Sequence, residues 1–209
     1  GLVSAGATLN FGLYGQASLA NYQAGGYTSD LSKYKYSFFK QKLINKAQVV
    51  DTGLPVRLSQ GKLTSGASSY NITNNSVWNI TGDLEILDDS GLNSVNSVIL
   101  VSGELRIFAD FKPVNSSFAF ISQGNITVKP EVTQINGIYF TDANFSDSAT
   151  TNQGLKVKGS VIAQNNISLL RNWANTYKPA EYFVCDPSLL INLSSLLGTP
   201  QINWQEVAP

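Results

Sequence analysis

Gly82-Asp83-Leu84-Glu85-Ile86, Gly103-Glu104-Leu105-Arg106-Ile107 and Gly124-Asn125-Ile126-Thr127-Val128 are three versions of one phrase. Their glycines lie 21 residues apart (103 − 82 and 124 − 103), and the residues ahead of them align too: Val77, Val98 and Ala119, then Trp78, Ile99 and Phe120. A fixed period of that length, kept in register, marks a chain that coils and stacks on itself. Within each copy apolar and polar residues alternate, as in Leu84 and Ile86, Leu105 and Ile107, Ile126 and Val128. Period two sends one set to one face of a strand. If each coil pairs with its counterpart in the next, the three leucine-type positions stack one above another. A recurring glycine suits a bend where a side chain would clash or positive φ is required. The competing reading is an antiparallel meander. Its hairpins usually turn at Asn-Gly or Asp-Gly, and Asn136-Gly137 is the one such dipeptide in the chain. The expected fold is therefore mainly β: a parallel β-helix or solenoid with ~21-residue coils, an N-terminal flanking helix and a short C-terminal capping helix.

Working outward, residues 3 to 13 alternate strictly. Val3, Ala5, Ala7, Leu9, Phe11 and Leu13 fall on one side, with Ser4, Gly6, Thr8, Asn10 and Gly12 on the other. This half-buried strand is either the first coil of the stack or an arm that adds to a neighbouring molecule. Pairing within its own chain is the usual fate of a terminal strand. A helix is expected over about 29–45, capped by Thr28 or Ser29, with Leu31, Tyr34, Phe38, Phe39 and Leu43 along its buried stripe. Asp186-Pro187 reads as a helix start, Leu189, Leu190, Leu193, Leu196 and Leu197 as its apolar stripe, and Gly198 followed by Pro200 as its stop. Such a helix, with Trp204 behind it, would close the open end of the stack. One domain spans 1–209: strand and helix over 1–48, coils over 49–170 and a cap over 171–209.

Composition narrows the function classes. Charged residues make up 13% of the 209, so Asn, Ser, Thr, Gln and Gly must cover the surface. That surface suits an extracellular β-protein. Fourteen basic residues balance fourteen acidic ones with no basic run, so nucleic-acid binding has no electrostatic basis. No apolar run reaches the ~20 residues that span a bilayer. The start at Gly1 is consistent with removal of a signal or upstream segment. Histidine is absent and Cys185 is the lone cysteine, which excludes a serine–histidine triad, a cysteine–histidine pair, a disulfide framework and a thiolate zinc site within one chain. Cys185 follows Tyr182-Phe183-Val184 and reads as a buried, inert thiol.

Two groups of residues invite chemistry. Paired carboxylates cleave glycosidic bonds, and Asp83, Glu85, Asp88 and Asp89 cluster within seven residues (83 to 89). Asp83 and Glu85, however, fall on the outward face, and a one-coil shift sets Glu85 against Arg106 as an ion-pair ladder. Asp88-Asp89-Ser90-Gly91 reads as a turn. Calcium at Asp88 and Asp89 lacks the regular Gly/Asp repeats of calcium-binding solenoids. No catalytic residue, metal or cofactor is expected. The second group is eight Asn-X-Ser/Thr sequons, at Asn71, Asn74, Asn79, Asn115, Asn125, Asn144, Asn166 and Asn192. They are candidate glycan acceptors, or simply strands whose outward positions are Asn and Thr.

Several phrases carry a family resemblance: Gly124-Asn125-Ile126-Thr127-Val128, Ile138-Tyr139-Phe140, Gly159-Ser160-Val161-Ile162-Ala163, Pro179-Ala180-Glu181-Tyr182-Phe183, Asp186-Pro187-Ser188-Leu189-Leu190 and the ending Trp204-Gln205-Glu206-Val207-Ala208-Pro209. Together with Gly1-Leu2-Val3-Ser4 and Tyr34-Lys35-Tyr36-Ser37-Phe38-Phe39, they make the chain resemble the C-terminal β-solenoid domain of large surface proteins of candidate-phyla (Patescibacteria-type) bacteria. The ending is the most specific part. The resemblance implies a surface location and a scaffold role, and carries over no catalytic residue. The even coils also resemble bactofilins, which polymerise end to end; capped ends depart from that pattern. The expected function is a secreted or cell-surface structural or adhesive scaffold without catalysis, its partner itself or a surface polymer or glycan. The alternatives are a polysaccharide-binding or polysaccharide-cleaving β-helix, and a filament subunit that assembles through the strand Val3–Leu13.

Overall fold

In the computed structural model, the backbone of 2–5, 8–11 and 23–24 is described, and 35–148, 153–172 and 179–198 are described in full. The repeat does form a stack of parallel coils. Each coil contributes one strand to each of two sheets. The first sheet receives β4 (Ala47–Val50), β8 (Ser76–Ile80), β10 (Asn96–Val101), β12 (Ser117–Ser122), β14 (Gln134–Thr141) and β16 (Leu155–Ala163). The second receives β5 (Val56–Ser59), β9 (Leu84–Ile86), β11 (Leu105–Ile107), β13 (Ile126–Val128), β15 (Phe145–Asp147) and β17 (Asn166–Leu169). The register is the one the period demands. Leu84 pairs with Leu105 and Leu105 with Ile126, and all three are fully buried. Inside, Phe118, Phe120 and Tyr139 stack face to face at 5.9 and 5.4 Å, and Phe111 meets both phenylalanines edge-on.

The repeated glycine is explained by the approach of neighbouring coils. A Cβ on Gly103 would lie 2.2 Å from the Asp83 carboxylate and 2.7 Å from the Gly82 carbonyl, and one on Gly124 would lie 2.6 Å from the Gly103 carbonyl. Gly103 N–H donates to the Gly82 carbonyl and Gly124 N–H to that of Gly103, both at 2.9 Å. A second glycine pair sits within the long strands β14 and β16. Gly137 and Gly159 are in register, and a Cβ on Gly159 would strike the Gly137 carbonyl.

The two sheets differ in cover. β8 and β12 are buried at every position and β10 at all but Asn96. Their inner residues line the core. Their outer residues, Val77, Val98, Leu100, Ala119 and Ile121, lie under two helices, α1 (Tyr36–Leu43) and α2 (Pro187–Leu197). Strands covered on both faces carry continuous apolar runs, and Val98-Ile99-Leu100-Val101 is one. Helix α1 seats Tyr36 and Leu43, with Phe39 packed alongside. It is shorter than the expected 29–45: Thr28, Ser29, Leu31 and Tyr34 lie outside the described residues, Lys35 is the N-cap without a side-chain bond, and Phe38 turns outward.

Helix α2 begins as expected, with the Asp186 carboxylate accepting from Ser188 N–H and Pro187 at the first position. Its position differs from expectation. It packs along the flank of β10 and β12 and does not close an end. The reason is the apolar outer face of the first sheet, which needs cover more than any end does. Leu189, Leu193 and Leu196 are buried there, while Leu190 is 51% exposed. Lys42 Nζ, in the last turn of α1, donates to the Leu197 carbonyl at 2.6 Å and ties the helices together.

Other elements close the ends. After β5 the chain makes an antiparallel excursion, β6 (Lys62–Ser65) and β7 (Ser68–Asn71), which extends the second sheet and buries Leu63. At the opposite end the cover comes from the start of the chain. β1 (Leu2–Ala5) pairs parallel with β16, and β2 (Thr8–Phe11) with β17. β3 (Gln23–Ala24) pairs with the far side of β1. The expected single strand over Val3–Leu13 is thus two strands, one in each sheet, and it forms the last coil of the stack. Ala7 and Leu13 lie outside the described residues. Beside β1, β18 (Glu181–Val184) takes the remaining edge of β16 at Leu155–Lys158.

Candidate functional site

The acidic cluster dissolves into structural tasks. Asp83 Oδ1 accepts from Glu104 N–H in the next coil at 2.9 Å. Arg106 donates to Asp83 at 3.0 Å and to Glu104 at 2.7 Å, while Glu85 lies 3.9 Å from Arg106 and 3.1 Å from Arg57. The expected Glu85–Arg106 ladder therefore exists, but Asp83 and Glu104 are its tighter members. Hydrogen bonding from Arg106 to Glu104 raises the guanidinium pKa above its ordinary value. Asp88 folds back on the turn. It accepts from Gln60 N–H (2.9 Å), Ser90 N–H (3.0 Å) and the hydroxyls of Ser90 and Ser59. Burial acts to raise its pKa, but these bonds prevail and hold it at about 2. Asp89 accepts from Lys112 N–H at 2.7 Å.

One physical rule covers Asp83, Asp89 and several of the sequons. A short side-chain oxygen at a coil's corner accepts a backbone N–H from the next coil. Asp110 does so from Thr133 (2.6 Å) and Gln134 (3.0 Å), and Asp147 from Leu170 (2.6 Å). Asn125 accepts from both the N–H and the amide of Asn144, and Asn144 likewise from Asn166, at 3.0–3.3 Å. An amide nitrogen held in such a ladder is a poor glycan acceptor. Asn79 is buried at 5% exposure and accepts from the Tyr36 hydroxyl, so its side chain faces α1 and not the solvent. Asn192 is exposed and donates to Ser117. Asn71, Asn74 and Asn115 remain exposed.

Among the described residues, no helix lies on the outer face of the second sheet. Its central column runs Arg57, Glu85, Arg106, Thr127, Ser146 and Ser168, charged at one end and hydroxyl-bearing at the other. Thr127, Ser146 and Ser168 are half-exposed beside the asparagine ladder. Of the assembly strand Val3, Ala5, Ala7, Leu9, Phe11 and Leu13, the described backbone is paired within its own chain. Cys185 is exposed, contrary to its buried reading, because β18 ends at Val184 and the thiol lies in the short connection to α2.

A buried charged group went unread in the sequence. Asp147 occupies the core column of Ile86, Ile107 and Val128 and is 3% exposed; Arg171, 1% exposed, lies against it with Nε 3.5 Å from Asp147 Oδ2. Arg171 Nη2 donates to the Lys129 carbonyl (3.0 Å) and Nη1 to that of Gln153 (3.3 Å). Arg171 N–H donates to Glu181 Oε1 at 2.6 Å. Burial, then the neighbouring Asp147 charge, pushes the Glu181 pKa up to about 8, and burial raises that of Asp147 too. The inward phase of Phe145-Ser146-Asp147 was the available signal.

Among the described residues, no three His, Cys, Asp or Glu side chains are placed to hold a metal ion, and no helix is long and apolar enough to cross a membrane. No family model, curated protein or solved structure matches the chain.

Proposed function

We propose that this domain is a secreted or cell-surface scaffold, structural or adhesive in role and without catalysis, whose uncovered sheet is presented to a surface polymer or glycan. The observation that carries the reading is the asymmetry of cover. Two helices blanket the outer face of the first sheet, while the second keeps an open column of half-exposed hydroxyls at Thr127, Ser146 and Ser168. Such a face offers an uncharged donor–acceptor array to a polyhydroxylated partner. The resemblance to bacterial surface proteins supports the location, and the engagement of Asp83, Asp88 and Asp89 in coil-to-coil bonds supports the absence of catalysis.

The test is retention on insoluble polysaccharides. Wild-type protein is expected to be retained on at least one, and T127K/S168K to be lost from it with folding intact. Equal retention of the variant removes the face from the reading. Release of soluble sugar that disappears in D83N, E85Q, D88N or D89N would overturn the non-enzymatic part.

A further inference from the structure

Near the end of the stack two buried groups of opposite charge, Asp147 and Arg171, meet a half-buried carboxyl, Glu181. Asp147 comes from the end of β15, Arg171 from the residues just after β17, and Glu181 from the first position of β18. Glu181 lies within hydrogen-bonding reach of Asp147, and its Oε1 also receives Arg171 N–H. With both carboxyls ionised the group carries a net negative charge largely out of water, and Asp147 Oδ2 makes no hydrogen bond; Arg171 Nε, its ion-pair partner 3.5 Å away, makes none either. One proton on the carboxyl pair makes the group neutral and supplies a donor between two acceptors. We propose that Glu181, Asp147 and Arg171 form a proton-dependent latch that holds β18 on the edge of β16 and lets it go when the shared proton is lost.

Apart from the latch, β18 is weakly held. β18 has four residues, and Tyr182 and Val184 are 40% and 37% exposed. Its strand partner within the two sheets is Leu155–Lys158 of β16, with Phe183 packed on the core. Charged groups around the latch come from each neighbouring element. Asp110 and Glu131, from the loops after β11 and β13, act on Arg171; Lys156 of β16 faces the exposed Tyr182 ring at 5.9 Å; Lys158 is paired with Asp186 at 2.9 Å. None of these provides a second positive charge inside.

The sign follows from the proton. Glu181 holds its proton up to about pH 8 when β18 is docked, against an ordinary value of 4.5. The docked state therefore binds more protons than the released one across that window. Opening is suppressed at the acid end, grows about tenfold per pH unit and levels above the docked value. The uncovered edge would expose the backbone of Leu155–Lys158 as a free strand edge.

Segment-resolved amide hydrogen exchange of the full chain, corrected for the intrinsic pH dependence of exchange, tests this from about pH 5.5 to about 8.5. Protection of 181–184 and 155–158 is expected to fall steeply with pH while that of β10 and β12 stays constant. In E181Q the amide donates to Asp147 and still accepts from Arg171 N–H, so protection should be independent of pH. D147N removes the like charge and should move the break to lower pH, which keeps the idea testable if E181Q folds poorly. Protection of β18 that is flat in wild type, or that falls in parallel with β10 and β12, overturns the latch.

Discussion

At the scale of single residues, inward and outward positions of one strand should behave differently. Leu105 is fully buried between Leu84 and Ile126, so L105A leaves a cavity in a ladder that cannot collapse on one side alone. It should cost ~2–5 kcal/mol in denaturant unfolding. Arg106, its neighbour, is 31% exposed and bridges three carboxylates. R106A should cost about 1 kcal/mol or less, and the loss should shrink in salt. Asp88 makes a sharper test through pH. Its folded pKa is depressed to about 2 by bonds from Ser59, Ser90 and Gln60, against the opposing effect of burial. The stability it adds is present above the ordinary carboxylate range and lost as pH falls toward 2. D88A should therefore lower the melting temperature at neutral pH and converge on wild type in strong acid. A constant difference at all pH values would show that the turn, not the carboxylate, matters. The two outcomes for Leu105 and Arg106 were legible in the sequence because alternation assigns a face without needing a partner. Asp147 was not, although the same alternation points it inward: Arg171 and Glu181 lie 24 and 34 residues away (171 − 147 and 181 − 147), and no local pattern joins them.

Elements show the same division between local and distant information. The start of α2 was readable because a cap is chemistry among neighbours: Asp186 accepts from Ser188 and also pairs with Lys158. D186A should cost roughly 0.5–2 kcal/mol. The loss should reach the first sheet, because α2 covers Val98 and Leu100. The destination of α2 was hidden. Five leucines demand burial, but an end of the stack and a flank offer the same apolar surface to a sequence. The deciding evidence lay in other strands, whose apolar residues run on continuously through Val98-Ile99-Leu100-Val101 and so announce a sheet face that requires cover on both sides. Likewise, the sequons Asn125, Asn144 and Asn166 read either as glycan acceptors or as outward strand positions, and only the register sets them one above another, each holding the next.

For the whole molecule, the decisive feature is that the first strands of the chain form the last coil. β1 and β2 sit on β16 and β17, above Val161, Ala163, Ile167 and Leu169, which are at most 2% exposed. The chain then returns through α1 along the flank to begin the stack at β4. Strands from opposite ends of the sequence are thereby tied together, so the stack lacks the freedom of an open solenoid to unravel from its final coil. Unfolding should be a single transition even though the coils are repeats. Deleting residues 1–11 removes the tie and uncovers an apolar end with two free strand edges. The truncated chain should melt at a lower temperature, lose protection first in β16 and β17, and self-associate at that end in size-exclusion chromatography. An added peptide of residues 1–13 should restore both the melting temperature and the monomer, because its backbone pairing does not depend on covalent connection. If the truncated chain melts unchanged and stays monomeric, β1 and β2 do not close the stack. If it loses assembly that the full chain possesses while keeping its stability, the strand serves a neighbour instead, and the domain is a filament subunit.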